Sequence, residues 1–117
     1  MPRTTISPTA LPGPYPTAVV VLPFSAADVA NLNQVQWTGK EIILAQNTDA
    51  VAAHNVTLSS TVDSHDRSGD IGPTSVAAST TVILAGPLPE DGWRNSDGYI
   101  YFQADNVAVK FAVLRLP

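Results

Sequence analysis

The sequence predicts an all-β domain: a β-sandwich of seven or eight antiparallel strands, jelly-roll-like, entered through an extended proline-rich arm. Three observations predict it. Short segments alternate apolar and polar residues with period two. Turn-rich stretches such as Asp63–Pro73 separate them. No segment shows a sustained helical period, and the seven or eight expected strands are spaced as in two-layer β folds of jelly-roll or immunoglobulin-like kind.

The elements follow in order. Ser7–Pro16 holds four prolines and a glycine in ten residues. Prolines narrow the free chain's conformations and hold it near polyproline II, so residues 1–16 read as a stiff arm and residues 17–117 as the domain. Ala18–Phe24 is a strand candidate, with Pro23 marking an edge or an end. Ser25–Asp28 has the spacing of a capping box, which predicts one or two helical turns over 26–32. Asn33–Thr38 alternates around Val35 and Trp37, and Gly39 breaks it. Glu41–Gln46 is a largely apolar strand. In 55–62, Val56, Leu58 and Val62 share one face and Thr57, Ser59 and Thr61 the other. Residues 63–73 read as a loop, 80–85 as a strand, 86–92 as a second long loop, and 99–103 and 107–116 as the closing strands. Val107, Val109, Phe111 and Val113 form one apolar face of the last.

Composition bounds the function. The 117 residues suffice for one domain with a true core. Charged residues make up only 14% and the net charge is −4, with Lys and Arg scattered singly. Without a basic patch, nucleic acid is not expected as a partner. The longest apolar run, near 18–24, is too short to cross a membrane, so no membrane partner is expected either. Cysteine is absent, which removes disulfides, thiol catalysis and Cys-based zinc sites.

Signals for chemistry are weak. Ser64-His65-Asp66 has the letters of a hydrolase triad, but consecutive loop residues do not converge as a triad must. No Gly-x-Ser-x-Gly elbow and no phosphate-binding glycine loop is present. Asp63, Asp66 and Asp70 lack the spacing of an EF-hand; an irregular calcium site and an Arg67-paired polar loop are the two readings, and the loop is preferred. His54 and His65 fall short of a zinc set. Neither enzymatic activity nor a metal or other cofactor is expected. Tyr99 and Tyr101 share a strand face near Trp93, as in sugar-stacking sandwiches. The plainer reading keeps Ile100 and Phe102 in the core and the tyrosines half-buried under 86–92.

Five segments carry a resemblance: LPGPYPTA (11–18), FSAADVANLNQVQWTGKEIILAQNT (24–48), DSHDRSGDI (63–71), GPLPEDGWRNSDGYIYFQA (86–104) and VKFAVLRLP (109–117). In their order they resemble the capsid decoration, or cement, proteins of tailed bacteriophages, small β-sandwich virion proteins encoded beside the major capsid protein. The resemblance implies a structural protein on the capsid exterior that bridges major capsid protein subunits, itself a dimer or trimer. Alternatives are a tail or head-completion component and a carbohydrate-binding module with a glycan partner. The expected contacts, with capsid or neighbouring subunit, are Leu11, Pro12, Pro14, Tyr15 and Pro16 on the arm and Arg67, Trp93 and Arg94 on the loops. Arg and Trp are frequent interface anchors. An arm that serves only as a contact is expected to be dispensable for folding.

Overall fold

The computed structural model describes residues 2–12 and 19–117. Their strands are β1 (Thr4–Thr5), β2 (Thr9–Ala10), β3 (Ser25–Ala26), β4 (Asn33–Gln36), β5 (Glu41–Asn47), β6 (His54–Ser59), β7 (Ile71–Val76), β8 (Thr80–Ala85), β9 (Tyr99–Ala104) and β10 (Val109–Arg115). They form two sheets packed as a sandwich, with no helix among the described residues. The first runs β1-β4-β9-β6-β7. The second runs β2-β10-β5-β8, with β3 also on β10. The seven longer strands pair antiparallel, whereas β1 and β2 pair parallel to β4 and β10.

The period-two pattern makes the core. Val35, Ile43, Ala45, Val56, Leu58, Ile100, Phe102, Val109, Phe111 and Val113 are fully or almost fully buried between the sheets. Phe102 of the first sheet meets Phe111 of the second edge to face, with centroids 4.7 Å apart, which joins the layers at their centre. Val62 and Val107, placed by alternation on these inner faces, lie beyond the strand ends and are exposed.

Two local expectations are corrected and a third is narrowed. Residues 19–24 form no strand, and Val19 is 94% exposed: β-branched residues favour a pleated surface only where a partner strand exists. The helical turns expected over 26–32 reduce to a single turn over 28–32, closed by Leu32 N–H donating to Asp28 O at 2.7 Å, because Ala26 belongs to β3. Leu32 at φ 67° prevents its continuation. Ile71–Pro73, read as loop, open β7. A Cβ on Gly72 (φ +106°) would stand 2.7 Å from Val56 O and 2.9 Å from Thr74 N, so glycine here permits the close approach to β6.

The N-terminal residues are built into the domain. β1 extends the first sheet, β2 extends the second, and Ile6 between them is only 4% exposed in the core. The same chain thus covers one edge of each layer. Buried polar groups fix the connections. Asn33 accepts from Asp28 N–H and donates to Thr4 O, and Asn47 donates to Ala52 O and Val76 O. Among the described residues no buried side-chain nitrogen or oxygen lacks a partner.

Candidate interaction surface

Strand register decides which loops meet. Gln36 pairs with Tyr99, Ser59 with Tyr101, Glu41 and Ala10 with Arg115, and Ile43 with Ala85. Residues 11–12, 37–40, 60–70, 86–98 and the C-terminus therefore all emerge at one end of the sandwich. Arg67, Trp93 and Arg94 lie on these loops, and Leu11 and Pro12 leave β2 at the same end. Pro14, Tyr15 and Pro16 lie outside the described residues.

The two long loops brace each other. Thr61 N–H donates to Gly92 O at 2.8 Å. Asp91 accepts from the Ser64 amide and hydroxyl, both at 2.8 Å. Asp63 gathers its own loop, accepting the His65 and Arg67 amides at 2.8 and 2.9 Å and Arg67 Nε at 3.1 Å. These donors, the Arg67 amide first, hold the Asp63 carboxyl below its usual range. Asp70 accepts from Ser60 N–H at 2.8 Å. The Trp37 indole N–H reaches Leu88 O at 2.9 Å and ties the second loop to the core.

The anchors differ in freedom. Trp93 is half-buried against the core and walls a shallow depression of about 180 Å³ with Ser60, Asp63, Arg67 and Asp91. Arg67 is 72% exposed and pairs with Asp63 through one nitrogen. Arg94 stands 3.7 Å from Glu90 and, with Asp91 and Val62, borders a second depression of about 380 Å³. Both guanidiniums keep donors to offer a partner.

Other sequence candidates do not assemble. The Ser64 hydroxyl faces Asp91 and not the His65 ring. Among the described residues no three His, Cys, Asp or Glu side chains are grouped to hold a metal ion. Asp63 spends both oxygens on two amides and the Arg67 guanidinium, and Asp70 Oδ1 accepts from the Ser60 amide and hydroxyl. His54 packs between Asp49 at 2.9 Å and Asp105 at 3.9 Å, at the opposite end of the sandwich. Tyr101 is half-buried, but the N-terminal residues cover it: Arg3 stacks 4.2 Å from its ring centroid, and its hydroxyl donates to Asp97 at 2.5 Å. That leaves the ring face unavailable for stacking on a sugar.

Sequence reading missed Asp91, whose carboxylate ties the second loop to Ser64 of the first. Its only signal is a carboxylate in a turn, shared by most acids of this chain.

The chain matches no family model. No curated protein and no solved structure is significantly similar to it.

Proposed function

We propose that this protein is a structural component of a tailed-phage virion that binds the outer surface of the capsid and bridges major capsid protein subunits. The segment resemblance suggests the class. The observation that carries the reading to a surface is the convergence of the described contact candidates, Leu11, Pro12, Arg67, Trp93 and Arg94, at one end of a rigid sandwich.

The mechanism is mechanical. A protein that binds only the assembled lattice stabilises it by its own binding free energy, because separating the subunits must also strip it away. Such a protein needs a stiff body and anchors that lose little entropy on docking. Loops braced by Asp63 and Asp91 meet the second need, and the cross-sheet core meets the first.

The test is the copy number in purified virions, measured by quantitative mass spectrometry against the major capsid protein. One copy per capsid subunit, or a simple fraction of that, supports a lattice-binding cement. A handful per particle reassigns the protein to the tail or portal vertex. Absence from particles overturns the reading.

A further inference from the structure

The edges of the two sheets are treated differently. On one side β1, β2 and β3 cover them. On the other side β7 ends the first sheet and β8 the second. β7 protects itself: Pro73 supplies no N–H, and its pairing with β6 shifts register between Val56 and Leu58. β8 has one irregularity of that kind, a register shift against β5 between Ile43 and Leu44, but Thr80–Ile83 pair with β5 without interruption. Its sequence Thr-Thr-Val-Ile-Leu-Ala has no charge, no proline and no glycine, and it is six residues long. It sits inside an uncharged run from Ile71 to Pro89. Among the described residues nothing pairs with its outer side. The outer face beside that edge is partly apolar: Ile83, 68% exposed, pairs with half-buried Leu44, and Thr81 pairs with Gln46.

We propose that β8 is the self-association edge of this protein, pairing antiparallel with β8 of a second copy to form a two-fold dimer with a continuous sheet. Charge selects the occupant. The chain is net negative, and two copies repel over most of their surfaces. Pairing across a two-fold axis sets a strand against itself, so any charge on it meets its own sign. β8 avoids that penalty along its whole length. Its free amides and carbonyls gain ladder partners, and Ile83 is withdrawn from water. Because the opposite edge of the same sheet is covered, pairing stops at two copies and does not grow into a filament. The inference concerns the purified chain alone and stands or falls apart from the capsid reading.

The experiment is sedimentation velocity of the full chain over about 5–500 μM, with amide hydrogen exchange at both extremes. The expected result is a shift from a 12.3 kDa species to twice that mass, with exchange at 80–85 slowing as concentration rises. Ile83→Lys should weaken the dimer at least tenfold. Thr81→Lys, also on the exposed face of β8, should act likewise and serves if the first variant folds poorly. Val29→Lys, exposed on the turn before β4, should associate as wild type. A chain that remains monomeric throughout overturns the proposal. So does a dimer that both β8 lysines leave intact, or one whose protected amides lie elsewhere.

Discussion

Glu41 shows how a single residue outweighs its surroundings. It opens β5 and is 2% exposed. Burial opposes its ionisation, but hydrogen bonds from the Thr38 amide and hydroxyl and from Arg115 Nε overcome that, and its carboxyl titrates below the usual 4.5. Removing only the cation leaves a buried carboxylate short of a partner. Because Arg115 is partly exposed, Arg115→Met should cost about 3 kcal/mol in urea denaturation, the low end for broken buried pairs. Asp49 adds a pH signature. The Val51 amide, His54 and the Ala52 amide lower its value from 3.8 to about 2. A depressed carboxylate stabilises the fold above its unfolded value, and that stabilisation is lost as pH falls through the folded one. The urea midpoint should therefore drop between about pH 4 and 2, and Asp49→Asn should flatten the drop. The tuning of Glu41 was not legible in the sequence, because its partners include Arg115, 74 positions away. Gly72 is similar: its place in a Gly-Pro turn signal gave no hint of the backbone packed against it. Gly72→Ala should destabilise by about 1–3 kcal/mol, read from the same denaturation curves.

At the scale of elements, alternation was the readable signal and pairing was not. β6, β9 and β10 stand out in the sequence because one face of each is apolar, and that face is buried. The run at 18–24 carries equally strong β-branched character and forms no strand over its described part, since nothing pairs with it. β7 hid inside a turn-rich stretch because Gly72, Pro73, Thr74 and Ser75 are exposed edge residues with no inward apolar face to announce them. The N-terminal segment reverses an expectation most clearly. Proline content marked it as a detachable arm, yet Ile6 sits in the core and β1 and β2 complete both sheets. Ile6→Ala should cost about 2–4 kcal/mol, as buried Ile truncations do. Deleting residues 2–12 should do more: it uncovers two sheet edges and the Tyr101 face together, so the truncated chain should melt lower and aggregate on heating. A truncation that keeps wild-type stability would show that these strands only rest on the domain. The practical consequence is that loss of shell binding in a truncated chain is no test of contact by the arm.

For the whole molecule, the two inferences meet in a geometric requirement. Bridging needs two attachment points on one rigid body, and the contact candidates of a single sandwich lie at one end. Antiparallel pairing through β8 supplies the second, because the two-fold axis places the loop ends of the two copies at opposite ends of the joined sheet. Attachment and bridging then separate experimentally. Arg67→Ala with Arg94→Ala should leave folding nearly unchanged, since both arginines make only exposed ion pairs within four residues. The same change should weaken co-sedimentation with undecorated shells about tenfold or more, the loss expected when interface arginines are truncated. Ile83→Lys should do the reverse. Its loop end is intact, so at saturating concentration it should still coat shells. Lacking the second attachment, it should fail to raise the temperature at which they open, measured by light scattering on heating. If the double arginine variant binds as wild type, the loop end is not the contact surface. If Ile83→Lys stabilises shells as well as wild type, each copy bridges subunits by itself and the dimer has no part in the mechanism.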